Sequence, residues 1–137
     1  MIRVIVADDH VFIRDAWRVL LEKADGIEIV AMAQNGREAV TQTVLHAVDV
    51  VAMDIAMPSM NGIEATKKIF AVSPKTRVLM VSMHNTAQYI QPCLEAGAFG
   101  YVLKDSAVDD LVAAIHSLYQ GNRYFSEQIA EIAKRYI

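Results

Sequence analysis

Five polar residues lie at the carboxyl ends of short apolar runs, and their side chains are of the types that bind phosphate groups or the cations that accompany them: Asp8, Asp9, Asp54, Ser82 and Lys104. Carboxylates held close together repel one another, and a divalent cation such as Mg²⁺ relieves this repulsion because it binds carboxylate, water and phosphate oxygens. A lysine neutralises negative charge, and a hydroxyl donates a hydrogen bond to a phosphoryl oxygen. If the five side chains meet, they predict a Mg²⁺-assisted phosphoryl site. Taken singly, each could instead mark only the point where a strand returns to solvent.

The apolar runs before these residues indicate how the side chains could meet. The runs alternate with segments of helical period, most show no polar alternation, and they cover residues 3–7, 27–32, 48–53, 77–82 and 100–103. Strands of this composition are covered on both faces, as in a parallel sheet flanked by helices. We predict an α/β fold with a five-stranded parallel sheet and five helices. Ligand sites in such sheets lie outside the carboxyl ends of the strands, where all five polar residues fall.

Three of the helical segments carry a stripe of apolar or mixed residues that predicts one buried face. The stripe of the first helix is Ile13, Ala16, Trp17, Leu20 and Leu21. The third helix has Ile63, Thr66, Lys67 and Phe70, and the last has Val108, Leu111, Val112, Ile115 and Leu118.

Two segments depart from the regular alternation. Pro92 falls inside the predicted fourth helix, residues 86–96, where a proline removes a backbone hydrogen bond at a cost of about 3 kcal/mol. We therefore predict either a kink or a helix that properly begins near Pro92. Residues 122–137 follow the helix stop at Gly121, and Ser126 there could cap another short helix. We expect this last segment to be a connector without a partner in the five units.

Length and composition limit the classes of protein. The 137 residues fit one domain, and 54% apolar residues with a net charge of −3 predict a folded core without a basic patch for DNA phosphates. Cys93 is the single cysteine, so no internal disulfide can form. No apolar stretch approaches the roughly 18 residues that span a bilayer. We expect a soluble, cytoplasmic protein that does not enter a membrane.

Several segments together resemble the receiver domains of two-component response regulators. They are Val6-Ala7-Asp8-Asp9-His10, Met53-Asp54-Ile55-Ala56-Met57-Pro58 with Asn61-Gly62, Val81-Ser82, and Ala96-Gly97-Ala98 through Gly100-Tyr101-Val102-Leu103-Lys104. Each piece alone is common, but their order and spacing are specific. The resemblance makes residues 1–121 a receiver domain. It implies a flavodoxin-like, doubly wound sheet with the strand order 2-1-3-4-5.

The resemblance also implies a role for each acid. Asp54 would accept a phosphoryl group from a sensor histidine kinase, so the domain would be a phosphoacceptor switch rather than an enzyme. Asp9 and Asp54 would bind Mg²⁺ directly, Asp8 would act through water, and Ala56 would contribute its backbone carbonyl.

The remaining residues would respond to the phosphoryl group. Lys104 would pair with one of its oxygens, and Ser82 would donate its hydroxyl to another. In the family this serine moves towards the phosphoryl group, and the switch aromatic, here Tyr101, turns inward behind it. The face formed by the fourth helix, the fifth strand and the fifth helix then changes, as a shift between two states.

Finer features resemble the branch of the family that carries a C-terminal helix-turn-helix of the LuxR type. They are Asp8-Asp9-His10, Ser82-Met83-His84, Gly100-Tyr101-Val102-Leu103-Lys104-Asp105 and Gly121-Asn122-Arg123-Tyr124-Phe125-Ser126. The resemblance implies that residues 122–137 lead to an output domain outside this chain, through which alone DNA would be bound. A homodimer formed on phosphorylation and a receiver that acts alone both stay open.

Two other classes of protein remain as alternatives. A phosphatase of the haloacid dehalogenase type places a second acid two residues after its nucleophile, and Ala56 supplies none. A flavodoxin-like cofactor domain needs a phosphate loop rich in Gly, Ser or Thr after its first strand, and none follows Ala7. Like the cofactor domain, a receiver that no longer takes phosphate would be a binding module on the same fold. It would have lost Asp54, Lys104 or the acidic pair, all of which are present.

Overall fold

The six strands of the computed structural model, which describes residues 1–137, are β1 (Ile2–Ala7), β2 (Ile27–Ala33), β3 (Val50–Met53), β4 (Arg77–Ser82), β5 (Gly100–Leu103) and β6 (Tyr124–Phe125). The helices are α1 (Val11–Glu22), α2 (Gly36–Leu45), α3 (Gly62–Val72), α4 (Ala87–Ala96), α5 (Ala107–Tyr119) and α6 (Glu127–Ala133). All strand pairs are parallel, in the order β2-β1-β3-β4-β5-β6. The flavodoxin-like α/β class is confirmed, with a sixth strand and a sixth helix added. None of the helices has the length and apolar character needed to cross a lipid bilayer.

The order of the central strands places Asp8 and Asp54 side by side. β1 lies between β2 and β3, and Ala7 at the end of β1 pairs with Met53 at the end of β3. Immediately beyond this pair, the Asp54 N–H donates to the carbonyl of Ala7 over 3.0 Å. The chain connections reverse direction between β1 and β3, and α/β sheets bind ligands at such a switch point.

Each face of the sheet is covered by its own apolar cluster. On one face, 22 buried residues join α2, α3, α4 and α6 to strand side chains such as Met53 and Met80. On the other face, 16 buried residues join α1 and α5 to Val50 and Leu79. Successive side chains of a strand point to opposite faces, so a polar residue at any central position would enter one of the clusters. This is why the strands are continuous apolar runs.

Residues 122–137 pack against the sheet, so the expectation that they lack a partner in the five units is wrong. β6 extends the sheet beside β5, and the Ser126 N–H donates to the Tyr101 carbonyl over 3.0 Å. The Oγ atom of Ser126 accepts from the Leu103 N–H at 2.9 Å. Ile129 of α6 is fully buried in the cluster that contains α4. The apolar side of α6 therefore covers the edge of the domain next to α4 and β5.

Pro92 lies within a continuous helix from Ala87 to Ala96, so the prediction that this helix begins near the proline is wrong. Proline has no N–H to donate to the carbonyl of Gln88 four residues earlier, but Gln88 is exposed and water can bond to it. Ile90 and Leu94 on either side are buried. Tertiary packing therefore maintains the helix where its local propensity opposes it.

The predicted stripe of α3 is displaced, whereas that of α5 is buried at Leu111, Ile115 and Leu118 and is wrong only at its first residue. Val108 is 67% exposed, and the buried face of α5 begins at Ala107. Phe70 is 58% exposed, whereas α3 buries Ala65 and Ile69. In both helices the buried face carries alanines, whose small side chains let a helix approach the sheet closely. A stripe drawn through the largest apolar residues overlooks these alanines.

The packing of α6 makes a prediction about stability. Ile129→Ala should lower the free energy of unfolding by about 2–5 kcal/mol, because it leaves a cavity in a fully buried site. Ile137→Ala is a matched control in the same segment, and its side chain is 58% exposed. Urea unfolding curves that coincide for the wild type and both variants would contradict the packing of residues 122–137 on the domain.

Candidate functional site

Lys104 connects the two buried acids of the candidate site. Asp8 and Asp54, at the carboxyl ends of β1 and β3, are 2% and 6% exposed. The Nζ atom of Lys104, which follows β5, lies 3.0 Å from Oδ2 of Asp8 and 3.1 Å from Oδ2 of Asp54. Two buried carboxylates are costly unless a cation lies between them. The structure thus brings together three predicted site residues from three separate strands.

Asp9 and His10 form the more exposed side of the same cluster. His10 Nδ1 lies 3.1 Å from Oδ1 of Asp8 and 3.2 Å from Oδ1 of Asp9. One ligand atom from each of Asp8, Asp9, His10 and Asp54 can be chosen so that all lie within 4.8 Å of one another. His10 also occupies the N-cap position of α1.

Arg14 is a residue of this site that the sequence analysis did not identify. Its Nη1 atom donates to the backbone carbonyl of Asp8 at 2.6 Å, and its N–H donates to the His10 carbonyl at 3.0 Å. Helix first turns favour acidic residues because of the helix dipole. The sequence could have identified Arg14, because it is a basic residue in the first turn of a helix that follows an acidic pair.

The pKa values of Asp54 and Lys104 are both raised, but by different causes. Burial raises the pKa of the Asp54 carboxyl, Lys104 opposes this shift, and the charge of Asp8 adds to it. Burial lowers the pKa of the Lys104 ammonium, but hydrogen bonds and charge from Asp8 and Asp54 outweigh that effect. Lys104 therefore stays charged.

The donor set suits a hard divalent cation. Three carboxylates, those of Asp8, Asp9 and Asp54, meet the single ammonium of Lys104, so negative charge is in excess. Carboxylate oxygens are the ligands that Mg²⁺ takes, together with water and phosphate oxygens. An additional cation would relieve the repulsion that burial imposes on these acids.

The loop after Asp54 is closed by a contact that only glycine allows. The Asp54 side chain accepts from the Ile55 N–H at 2.8 Å, and the Gly62 N–H donates to the Ile55 carbonyl at 2.7 Å. A Cβ atom at Gly62 would overlap the backbone carbonyl of Asp54. Asn61 caps α3 through a capping box and fixes the other end of the loop. Ala56 lies exposed within the loop, two residues after Asp54.

Ser82 and Tyr101 are both completely buried and are linked through the backbone of His84. The His84 N–H donates to Ser82 Oγ at 3.1 Å, and the Tyr101 hydroxyl donates to the His84 carbonyl at 2.7 Å. Burial raises the pKa of the Tyr101 phenol, so the hydroxyl keeps the proton that it donates. Tyr101 therefore occupies the inward position in this structure.

Comparison with known proteins supports the same family. A model of the response regulator receiver domain matches residues 4–116. Response regulator UvrY of Escherichia coli strain K12 is 39% identical over 131 residues, which cover 96% of this chain and 60% of UvrY. Response regulator GacA of Pseudomonas viridiflava is 37% identical over 131 residues, which cover 96% of this chain and 61% of GacA.

A solved structure extends the likeness to the whole fold. The LuxR-family two-component response regulator from Aurantimonas sp. SI85-9A1 is 36% identical and superposes with a TM-score of 0.91, over 97% of this chain and 96% of that chain. Receiver domains are phosphoacceptor switches of two-component systems. This chain belongs to the response regulator receiver domain family, and its predicted likeness to the LuxR-type branch is confirmed. The chain spans 60% of UvrY and 61% of GacA, so these relatives are longer regulators.

The close contact at Gly62 can be tested with Gly62→Ala, because helix propensity and steric overlap change the stability in opposite directions. Alanine is the better helix former by up to about 1 kcal/mol, so a local effect alone would stabilise Gly62→Ala. We expect instead a loss of about 1–3 kcal/mol, because the new Cβ overlaps the Asp54 carbonyl and must displace the backbone. Thermal or urea unfolding measures the difference, and any gain in stability would contradict the close approach.

Proposed function

We propose that Asp54 accepts a phosphoryl group from the phosphohistidine of a sensor histidine kinase, with Mg²⁺ bound beside it. The observation that carries this proposal is the contact of the Lys104 ammonium with Asp54 at 3.1 Å and with Asp8 at 3.0 Å. The ammonium lies where the oxygens of a phosphoryl group on Asp54 would need a positive partner. Membership of the response regulator family supports the histidine kinase as donor.

In the proposed transfer, a carboxylate oxygen of Asp54 attacks the phosphorus. A P–O bond forms, the P–N bond to the kinase histidine breaks, and the imidazole leaves with the bonding electron pair. Asp9 and Asp54 would hold Mg²⁺ directly, with Asp8 acting through water and the Ala56 carbonyl as a further ligand. The bound cation would supply positive charge to the transferring phosphoryl group.

Phosphorylation would give Lys104 and Ser82 new partners. Lys104 now binds the carboxylates of Asp8 and Asp54, and the Ser82 hydroxyl oxygen accepts from the His84 N–H. Lys104 would pair with one phosphoryl oxygen and the Ser82 hydroxyl would donate to another. A displaced Ser82 would disturb the backbone of His84, whose carbonyl also accepts a hydrogen bond from the Tyr101 hydroxyl. This link supports Ser82 and Tyr101 as switch residues for the α4–β5–α5 face.

Residues 122–137 are in contact with the switch and would carry its change onward. Ser126 bonds to the Tyr101 carbonyl and to the Leu103 N–H, one residue before Lys104. In a longer regulator of the LuxR type, this segment would lead to an output domain that binds DNA and controls transcription. This chain's own charge of −3 does not favour contact with DNA phosphates. We also propose that phosphorylation promotes a homodimer and that the protein acts in the cytoplasm.

The acceptor can be identified by intact mass after incubation with acetyl phosphate. The wild type should gain one phosphoryl group with Mg²⁺ and none with a chelator. Asp54→Asn should gain none, because an amide is not a nucleophile for this transfer. Asp25→Asn, a change at an exposed acid, is the control and should behave as the wild type. A folded wild type that gains no group would instead indicate a receiver that binds partners without phosphorylation.

Lys104 would compete with Mg²⁺ for the carboxylates of Asp8 and Asp54, so its removal should increase the affinity for Mg²⁺. Lys104→Met should bind Mg²⁺ more tightly, by roughly tenfold, because it removes a positive charge in contact with Asp8 and Asp54. Lys68→Met, at an exposed position on α3, should leave the affinity unchanged. Calorimetric titration with Mg²⁺ measures both. Equal or weaker binding by Lys104→Met would show that the ammonium does not compete with the metal.

A further inference from the structure

The β4–α4 loop, residues 83–86, contains a residue, His84, whose backbone N–H and carbonyl contact the two switch residues. The His84 N–H donates to Ser82 Oγ at 3.1 Å, and the His84 carbonyl accepts from the Tyr101 hydroxyl at 2.7 Å. A displacement of the His84 backbone would break or lengthen both bonds, because they are made by the two peptide groups on either side of its Cα atom. The position of His84 therefore controls where the Ser82 hydroxyl and the Tyr101 ring lie.

The side chain of His84 is fixed by a stacked aromatic contact. Its imidazole ring lies against the ring of Tyr89, with 3.7 Å between the ring centroids and 10° between the planes. Stacked aromatic pairs contribute to stability beyond the area that they bury. The contact attaches an otherwise exposed loop to the helix that follows it.

The position of Tyr89 is fixed by a backbone hydrogen bond and by packing against the core. It lies in the first turn of α4, where its N–H donates to the Thr86 carbonyl at 3.0 Å. Its half-buried ring packs against the larger apolar cluster, in which the neighbouring Ile90 is fully buried. Contacts therefore run from the core through Tyr89 and His84 to Ser82.

We infer that Tyr89 is a positioning residue for phosphoryl transfer, which acts by stacking on His84 and so fixing the β4–α4 loop. The inference rests on the proposed function of Asp54. Tyr89 itself contacts neither the phosphoryl group nor the metal ion. Without the stack, the loop would sample other conformations, and the Ser82 hydroxyl would be in place for only part of the time. Phosphorylation of Asp54 would then be slower.

The rate of Asp54 phosphorylation by acetyl phosphate with Mg²⁺ tests this role. Tyr89→Leu removes the ring and should slow the reaction by about two- to tenfold, the factor that corresponds to the contribution of one aromatic pair. Tyr89→Phe keeps the ring and should restore the wild-type rate, because it can form the same stack on His84. If the hydroxyl of Tyr89 were the group required, Tyr89→Phe would not restore the rate of phosphorylation.

A second route removes the stack from its other side and does not depend on α4. His84→Ala, in a half-exposed loop position, should slow phosphorylation to the same extent as Tyr89→Leu. The double variant should be no slower than either single variant, because both remove the same contact. If Tyr89→Leu does not fold, His84→Ala alone decides, and a wild-type rate for it would overturn the inference.

The outcomes separate this inference from the proposed function. A wild type that takes no phosphoryl group on Asp54 would overturn the proposed function and the inference with it. Normal phosphorylation of the wild type together with an unchanged rate for Tyr89→Leu would overturn the inference alone. An equal fall in rate for Tyr89→Leu and Tyr89→Phe would also overturn it, because the ring would then not be the group that matters.

Discussion

The ion pairs of Lys104 with Asp8 and Asp54 connect the ends of three strands at one edge of the sheet. Burial makes two neighbouring carboxylates costly, and the ammonium between them offsets that cost only if β1, β3 and β5 end at the same level. The parallel register provides this alignment, with Ala7 opposite Met53 before the two acids. Negative charge remains in excess, so the site favours one more cation.

The rest of the molecule keeps these strand ends in place. Two apolar clusters cover the faces of the sheet, and the C-terminal segment closes the edge beside β5. Ser126 binds the backbone of β5 on both sides of Val102, through the Tyr101 carbonyl and the Leu103 N–H. Any movement of Lys104 or Tyr101 must therefore be shared with residues 122–137. Residues 122–137 therefore help to support the site.

The sequence allowed much of this arrangement to be predicted, because buried parallel strands have a strong composition signal. The strands Arg77–Ser82 and Gly100–Leu103 begin and end where the apolar runs do. The packing of α6 could not be predicted, since its apolar side is short and nothing local shows what covers it. Val108 and Phe70 were wrongly assigned to buried faces because a stripe of large apolar residues overlooks the alanines that form part of the buried faces of α5 and α3.

By itself, the sequence determined which residues end the strands, and therefore that Asp8, Asp54 and Lys104 fall at one edge of a parallel sheet. Hydrophobic period and composition are local properties of the sequence, so they can be recognised without knowledge of distant contacts. Only the tertiary structure decided that Lys104 bridges both acids, that Arg14 holds the Asp8 backbone, and that Tyr89 stacks on His84. These contacts depend on side-chain directions and on distances between elements, which arise when the helices pack on the sheet.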